Sequence, residues 1–223
     1  MSEDRTQDHT QDQSGDKTRG RPQDQTRDRG HVQEFFAARA AGWDRKFPGD
    51  GPAFATAVGE FGLRPGDRVL DAGCGTGRAL TALRAAVGPS GTVLGADVTP
   101  QMLAAALEAG RDAEGALLVA DVARLPLRDG ALDAVFAAGL IAHLPDPGAN
   151  LRELARVVRP GGRLALFHPI GRAALAARHG RELTPDDMRA KPNLGPLLAG
   201  SGWQMTSYAD EDTRFLALAV RTP

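Results

Sequence analysis

The spacing of apolar residues divides the chain into a polar start and a longer patterned region. Between residues 2 and 30 there is no aliphatic or aromatic side chain. Such a segment buries too little apolar surface to offset the entropy lost on ordering, so we expect residues 1–31 to form a disordered polar tail. From residue 32 onward apolar residues recur at helical and strand spacing, which predicts a folded domain over residues 32–223.

The folded region opens with two predicted helices. Apolar residues at helical spacing lie within residues 32–43 and 54–61, ahead of the turn sequence Pro65-Gly66-Asp67. Four aromatic side chains are found just before the first strand, namely Phe35, Phe36, Trp43 and Phe47. Aromatic residues dominate ordinary cores as well as binding sites, so residues 32–62 fit either a lid over a ligand or a helix packed permanently on the sheet.

Strand-like and helix-like segments then alternate. The predicted strands are 68–72, 92–97, 116–121, 132–138 and 162–168, and the predicted helices are 77–87, 100–109 and 148–158. This alternation predicts parallel strands joined by right-handed crossovers, with helices on both faces. Two further strand-like runs, 203–209 and 214–221, are separated by a four-residue turn and predict an antiparallel hairpin. The sequence therefore predicts a doubly wound, Rossmann-like α/β fold with a mostly parallel seven-stranded sheet.

Composition narrows the classes of partner. The formal net charge is -1, so the chain as a whole offers no basic footprint for nucleic acid or for an anionic membrane surface. Cys74 is the only cysteine, which excludes an internal disulfide and fits a reducing compartment. No run approaches the roughly 20 apolar residues of a membrane helix, and the start lacks a secretory signal. We expect a cytoplasmic protein with a small-molecule partner, without a metal ion, and of undetermined oligomeric state.

A glycine-rich loop follows the first predicted strand. Its sequence is Asp71-Ala72-Gly73-Cys74-Gly75-Thr76-Gly77. Glycines here let the backbone approach a ligand at the carboxyl end of the sheet, where α/β folds bind their ligands. The dinucleotide fingerprint G-x-G-x-x-G requires glycine at position 78, which is arginine, and the phosphate-binding P-loop is absent. A nucleotide-like cofactor is favoured, and a nicotinamide-dependent oxidoreductase is the weaker alternative.

Residues 69–77, Val-Leu-Asp-Ala-Gly-Cys-Gly-Thr-Gly, resemble the first motif of the class I S-adenosylmethionine-dependent methyltransferases. Asp97 resembles the acidic residue of that family at the end of the second strand, and Ala120-Asp121-Val122 resembles its adenine-binding motif. The turn at residues 158–162 is similar to the one before the fifth strand. Together these signals cover roughly residue 35 to residue 223, and they imply S-adenosylmethionine as cofactor and a small-molecule methyltransferase as the function.

The resemblance implies a role for each matching residue. Asp71 and the backbone of Gly73 and Gly75 would hold the methionine end, with Cys74 and Gly77 completing the loop. Asp97 would accept hydrogen bonds from the ribose hydroxyls, and Asp121 and the Val122 amide would bind adenine. Val98 and Met102 would pack on the ring faces, and Ala138 would lie beside the methyl group. Taken singly, Asp97 and Asp121 are equally well turn residues, and Val98 and Met102 ordinary core residues.

Methyl transfer by in-line displacement chiefly requires an acceptor held about 3 Å from the methyl carbon. A weakly acidic hydroxyl would also need a base, and His143 is the best-placed candidate, with His168 a second one. His143 equally fits a structural role that tethers the loop at residues 140–147. Cys74 lies inside the predicted cofactor loop and is expected to pack there, not to act as a nucleophile.

The identity of the acceptor is constrained only by exclusions. Residues 138–143 lack the N-P-P-[YF] or D-P-P-[YF] motif that the resemblance associates with methylation of bases, and no second cysteine exists, so nucleic acid is disfavoured. Residues 171–191 contain Arg172, Arg178, Arg181 and Arg189, which fit either an anionic acceptor or a solvated helix face. A protein that binds the cofactor without transferring a methyl group would retain the same motifs, so that alternative stays open.

Overall fold

The computed structural model describes residues 29–223, so the tail predicted for residues 1–31 lies outside the described residues except for its last three, which begin the first helix. The helices are α1 (Arg29–Ala37), α2 (Trp43–Lys46), α3 (Gly51–Phe61), α4 (Leu80–Val87), α5 (Pro100–Glu108), α6 (Pro147–Val157), α7 (Arg172–Arg178) and α8 (Lys191–Ala199), with 3-10 helices at Ala40–Gly42, Arg111–Ala113 and Ile141–His143. The strands are β1 (Arg68–Ala72), β2 (Thr92–Asp97), β3 (Ala116–Val119), β4 (Leu132–Ala138), β5 (Val158–His168), β6 (Trp203–Glu211) and β7 (Arg214–Arg221).

The seven strands form one sheet in the order β3-β2-β1-β4-β5-β7-β6. The first five run parallel, whereas β7 is antiparallel to both β5 and β6. This confirms the predicted doubly wound sheet and its terminal hairpin. The strand order changes direction between β1 and β4, and ligands of such sheets bind outside the carboxyl ends of the strands at this point. The glycine loop after β1 therefore lies where a ligand site is expected.

Alternating residues of the strands bury both faces of the sheet. On one face α3 and α4 pack against the sheet around a group of four phenylalanines, here called the core aromatic cluster: Phe54, Phe61, Phe136 and Phe167. On the other face α6 and α8 contribute Leu151, Leu154, Leu194 and Leu198. Burial on both faces explains why β4 reads as a nearly continuous apolar run and not as an alternating one.

The carboxyl-terminal hairpin is fixed to the second face by Trp203. Its side chain is fully buried, and its indole Nε1 donates a hydrogen bond of 2.9 Å to the Leu151 carbonyl of α6. A buried tryptophan needs such a partner because its N–H would otherwise lose its bond to water. The hairpin is thus part of the core and not an appendage at the sheet edge.

Several predicted boundaries were wrong for local reasons. The helix expected from residue 77 begins at Leu80, because Gly75 and Gly77 have left-handed φ angles of 55° and 77°. The strand expected to reach residue 121 ends at Val119, and α7 and α8 were not predicted. Within residues 29–223, no helix is both long and apolar enough to cross a membrane.

Candidate active site

The glycine loop between β1 and α4 forms the centre of the candidate site. The amides of Gly73 and Cys74 both donate to the carbonyl of Ala96 in β2, at 2.8 and 3.0 Å, which ties the loop to the neighbouring strand. A side chain at position 73 would meet Leu140 Cδ1 at 2.8 Å, whereas one at position 75 would meet no atom within 4 Å. Gly75 therefore borders open space, and its backbone is accessible to a ligand.

Asp71, in β1 just before this loop, is a buried carboxylate that is not satisfied. Its Oδ1 atom has no hydrogen-bond partner within the described residues 29–223. Burial, together with the nearby negative charge of Asp97, raises the pKa of the Asp71 carboxyl to about 8. A buried polar atom without a partner costs free energy, so its retention indicates that a ligand supplies the missing contact.

Asp97 ends β2 and links the glycine loop to the segment that follows β2. Its Oδ2 accepts a hydrogen bond of 2.9 Å from the Gly75 amide, and its Oδ1 accepts one of 2.8 Å from the Thr99 amide. Burial raises the pKa of the Asp97 carboxyl, although these backbone amides oppose that effect. Because a carboxylate oxygen accepts more than one hydrogen bond, the same oxygens remain able to bind hydroxyl groups of a ligand.

The residues predicted to bind adenine lie in α5 and in the segments that follow β2 and β3. Asp121 Oδ1 accepts a bond of 2.8 Å from the Ala123 amide, which makes Asp121 a turn residue as well as a candidate ligand. Val122 and Met102 are buried, with 6% and 2% of their surfaces exposed. Val98 directly follows β2 and is half-buried. The predicted roles of these residues stay predictions.

Cys74 packs behind the loop. Its Sγ lies 3.0 Å from the position that a Cβ at Gly95 of β2 would occupy, so the thiol and the glycine fit each other. Burial raises the pKa of the Cys74 thiol well above its usual range. Since the thiolate is the nucleophile and burial disfavours it, the geometry supports the packing role expected from the sequence.

Residues 29–50, here called the cover, lie over the glycine loop through polar contacts that the sequence analysis did not identify. Asp44 Oδ1 accepts a hydrogen bond of 2.6 Å from the buried Thr76 hydroxyl, and Asp44 Oδ2 lies 3.3 Å from Arg111 Nη2. Gln33 Nε2 donates to the Val98 carbonyl at 2.9 Å. Each contact joins residues at least 32 positions apart, and no local pattern signals such pairs.

Arg78 fixes the end of the cover nearest α3. Its Nη2 donates to the Phe47 carbonyl at 2.9 Å and lies 3.0 Å from Asp50 Oδ2. The guanidinium also lies over the rings of Phe47 and Phe54, at 5.7 and 5.1 Å from their centroids. Position 78, which departs from the dinucleotide fingerprint, thus holds a residue that links the loop to the cover.

The carboxyl ends of β4 and β5 complete the site on the opposite side of the loop. Ala138 is half-buried at the end of β4, and Gly139 follows with a φ of 66°. His143 lies in the 3-10 helix beyond, where its ring meets Phe36 of the cover edge to face at 5.1 Å. His168 ends β5 next to Gly139. Both predicted histidines therefore lie at this edge of the sheet, in different surroundings.

A cavity of about 300 Å³ opens beside these residues. Ala142 forms one wall, and the connection after β5 forms the others, with Leu175, Leu183, Met188, Arg181 and Arg189 among its lining residues. Two of the predicted basic residues are already paired, since Arg172 contacts Asp210 and Asp187 and Arg189 contacts Asp187. The interpretation of this segment as a fully solvated helix face is therefore wrong for Arg172 and Arg189. Because both side chains are paired with carboxylates, neither is an unpaired cation that could bind an anionic acceptor without breaking an ion pair.

The described residues contain no group of three or more histidine, cysteine, aspartate or glutamate side chains arranged to hold a metal ion. The candidate site consists of backbone amides, the carboxylates Asp71 and Asp97, apolar side chains and two histidines. Such a set suits an organic ligand with hydroxyl and ammonium groups.

Comparison with known proteins identifies relatives of this region. Residues 70–166 match the family described as methyltransferase domain. An uncharacterized 37.1 kDa protein in a transposon of Streptomyces fradiae is 41% identical over 110 residues, which are 48% of this chain and 31% of that protein. A demethylmenaquinone methyltransferase of Staphylococcus aureus is 38% identical over 104 residues, 46% of this chain and 43% of that one. The chain thus matches less than half the length of these relatives.

Solved structures extend the likeness over most of the fold. A methyltransferase of Aquifex aeolicus described as dependent on S-adenosylmethionine superposes with a TM-score of 0.64 at 26% identity, over 76% of this chain and 89% of that one. A chain from the complex of the Haloferax volcanii Trm112 methyltransferase activator with a methyltransferase gives a TM-score of 0.70 at 22% identity, over 84% and 98% of the two chains. The latter likeness establishes the fold alone.

Proposed function

We propose that this chain, whose residues 70–166 match the methyltransferase domain family, transfers a methyl group from S-adenosylmethionine to a small-molecule acceptor. The observation that carries the proposal is the unsatisfied Oδ1 of Asp71 beside a loop whose Gly75 borders open space. S-adenosylmethionine has an ammonium group, ribose hydroxyls and a flat base, and the site offers a partner for each.

The residues present fit this cofactor. The Asp71 carboxylate would accept from the ammonium group, which would supply the contact that Oδ1 lacks within the described residues. Asp97 would accept from the ribose hydroxyls with the lone pairs that Gly75 and Thr99 leave available. Asp121 and the Val122 amide would bind the adenine edge, with Val98 and Met102 on its faces and Cys74, Gly73 and Gly77 shaping the loop.

When bound, S-adenosylmethionine supplies a methyl group on a positively charged sulfur, which is already activated for displacement. The chain's own residues therefore have to bind, orient and exclude water. The cover lies over the glycine loop through Asp44 and Gln33, and this arrangement supports a water-excluding role. Ala138 and Gly139 end the strand beside the loop, where an in-line acceptor would approach.

The direct test is binding of S-adenosylhomocysteine, compared with NAD, by thermal shift and calorimetry. A ligand that binds only the native state stabilises it by about 2.7 kcal/mol at a hundredfold excess over its dissociation constant. Asp97→Ala should weaken this binding by about 2–3 kcal/mol, the usual range for hydrogen bonds to a charged group, with the fold retained. No stabilisation by millimolar S-adenosylhomocysteine, or stabilisation by NAD instead, would contradict the proposal.

Binding alone does not separate an enzyme from a cofactor-binding protein. Incubating the purified chain with methyl-labelled cofactor and fractionated metabolite extracts tests transfer and reveals the acceptor together. Label in a small-molecule fraction is the expected result. Label confined to protein or nucleic acid would contradict the small-molecule acceptor, and no label in any fraction would favour binding without catalysis.

A further inference from the structure

His168 occupies the end of β5 directly beside the end of β4. The Gly139 amide donates to the Phe167 carbonyl at 2.8 Å, which holds the two strand ends together. His168 Cδ2, the ring atom bonded to Nε2, lies 3.9 Å from the position that a Cβ at Gly139 would take. This edge of the imidazole therefore faces the strand end where the proposed function requires the acceptor.

The other ring nitrogen is held by the backbone. His168 Nδ1 lies 2.8 Å from the Ile170 carbonyl oxygen and 3.1 Å from the Ile170 amide nitrogen. The Ile170 amide donates to Nδ1 only when that nitrogen carries no proton, whereas the shorter contact, to the carbonyl, is a hydrogen bond only when Nδ1 carries the proton. The shorter contact favours the proton on Nδ1. That tautomer leaves Nε2 unprotonated, and Nε2 has no hydrogen-bond partner among residues 29–223.

The surroundings of His168 keep it uncharged. Burial lowers the pKa of its imidazole most strongly, and the positive charges of Arg189 and His179 act in the same direction. The Ile170 carbonyl and the Asp50 carboxylate oppose them without reversing the effect. An uncharged imidazole with an available Nε2 is the form that accepts a proton at neutral pH.

The adjacent cavity gives the chemistry of the molecule that would donate this proton. Its volume of about 300 Å³ accommodates a small molecule. Leu175, Leu183 and Met188 give it an apolar wall, and the rest of the lining is charged or polar, with Arg181, Glu182 and Asp186 among these residues. Arg189 lies in the cavity wall and also within electrostatic reach of His168, which connects the two features. Because a lowered pKa makes the His168 imidazole a weak base, it suits a weakly acidic hydroxyl such as that of a phenol, whose ring and hydroxyl would meet the apolar and polar parts of this lining.

We propose that His168 Nε2 is the general base that removes the hydroxyl proton of a phenol-like acceptor held at the ends of β4 and β5, beside this cavity; the inference rests on the proposed methyltransferase function. The proton moves to Nε2, the hydroxyl oxygen uses its electron pair to bond the methyl carbon, and the carbon–sulfur pair stays on sulfur. The positive charge thereby passes from sulfur to the imidazolium, which later returns the proton to water.

His143 is the competing candidate, and its setting differs. Its ring lies edge to face with Phe36, so any movement of the cover would also change the surroundings of His143. His168 instead lies between two strand ends of the rigid sheet. Catalytic groups on rigid elements are held more accurately than groups on loops, which favours His168 as the base.

The first test measures the tautomer and the charge of the His168 imidazole in the absence of any reaction. Nitrogen-15 long-range NMR of the purified chain, with His168 assigned by comparison with His168→Asn, distinguishes the two tautomers. We expect the proton on Nδ1 and a His168 pKa below the ordinary value for histidine. A proton on Nε2, or a His168 that is charged at neutral pH, would overturn the proposal even if S-adenosylhomocysteine binds.

The second test uses 4-nitrophenol, whose anion has its own visible absorbance band, with the chain saturated by S-adenosylhomocysteine. We expect the anion band to grow on binding and to be lost in His168→Asn, because asparagine keeps a donor for the Ile170 carbonyl but has no atom at Nε2. His179→Asn is the matched control and should retain the band. Calorimetry should give the same S-adenosylhomocysteine affinity for all three proteins.

The outcomes separate the two proposals. Failure of S-adenosylhomocysteine to bind the natural chain contradicts the proposed function, and the NMR measurement still decides the tautomer of His168. If binding holds but the phenol does not ionise, or if His168→Asn keeps the band while His143→Asn loses it, the assignment of His168 is wrong.

Discussion

Two aromatic groups on the same side of the fold differ in how they are buried. Ring centroids in the core aromatic cluster lie 5.2 to 6.5 Å apart, and those within the cover lie 5.2 to 5.5 Å apart. All four core rings are at most 6% exposed, whereas Phe35 of the cover is 46% exposed and Phe36, Trp43 and Phe47 are half-buried. Ring contact alone therefore does not distinguish a core from a cover; burial does.

The polar contacts of the two groups differ in the same way. The core cluster is held by surrounding apolar strands and helices, so its stabilisation comes from burial. The cover is held by hydrogen bonds from Gln33 and Thr76, by Asp44 beside Arg111, and by Arg78. Each such bond contributes only about 0.5–1.5 kcal/mol, because water replaces it when the cover opens. The comparison predicts a permanent core beside a segment that opens at lower free energy.

The largest effect should come from the core. Phe136→Ala removes a ring that contacts Phe54, Phe61 and Phe167 and has no exposed surface. Emptying such a site costs about 3–5 kcal/mol of the free energy of unfolding. Urea unfolding followed by circular dichroism measures this loss, with an unchanged slope as the control for a two-state transition. A loss of unfolding free energy below about 1 kcal/mol would mean that the core aromatic cluster is no more permanently packed than the cover.

The next effect concerns the pH dependence of ligand binding at Asp71, which lies in β1 between the cover and the core of the sheet. Burial raises the pKa of Asp71 to about 8, so the contribution of Asp71 to the stability of the ligand-free chain falls as pH rises from about 4 through 8. A bound ammonium group favours the ionised carboxylate, so binding releases a proton. The affinity for S-adenosylhomocysteine should rise between pH 6 and 8, by at most about tenfold per unit.

Calorimetry in buffers of different ionisation enthalpy measures this proton release directly. Asp71→Asn should bind more weakly with a flatter pH profile, and the ligand-free variant should lose the part of the pH-dependent fall in stability that Asp71 contributes. A pH-independent affinity of the natural chain would place the ammonium group away from Asp71.

Trp43→Ala should have a smaller effect, and on a different quantity. Trp43 pairs with Phe36 and Phe47, and such pairs contribute about 0.5–1.5 kcal/mol each beyond area burial. Because Trp43 is half-exposed, we expect less than about 2 kcal/mol of lost unfolding free energy. The affinity for S-adenosylhomocysteine should fall by about 1–2 kcal/mol, or roughly 5- to 30-fold. A loss of stability as large as that of Phe136→Ala would reassign the cover to the permanent core.

The contrast also explains what the sequence predicts and what it does not. The alternation of strands and helices and the glycine loop are local patterns, so the sheet and the position of Asp71 and Asp97 were predicted. Helix α8 was missed because Pro192, Gly195 and Pro196 disfavour a helix locally, while burial of Leu194 and Leu198 against the sheet stabilises it.

The missing parts of the site are long-range pairs. Thr76 and Asp44 are separated by 32 positions, and Gln33 and the Val98 carbonyl by 65. Neither pair has a sequence signature, because each depends on how the cover folds back over the sheet. The contacts of His168 Nδ1 with the Ile170 backbone are likewise invisible in residue identity.

The smallest predicted effect separates the two contacts of Asp44. Asp44→Ala leaves the buried Thr76 hydroxyl without its partner, a cost of about 1–3 kcal/mol if Thr76 stays buried. Opening of the cover lets water reach that hydroxyl, so the cost cannot exceed the free energy of opening. We therefore expect little change in melting temperature and faster amide exchange across residues 31–47, with protection restored by S-adenosylhomocysteine.

Asp44→Asn is the matched control. It keeps an acceptor for Thr76 and loses only the charge beside Arg111. Because a partly exposed ion pair contributes little, its amides should exchange nearly as slowly as those of the natural chain. Equally fast amide exchange in both variants would mean that the contact of Asp44 with Arg111, and not its bond with Thr76, stabilises the closed cover. Faster exchange in β4 as well would show that cover and core open together.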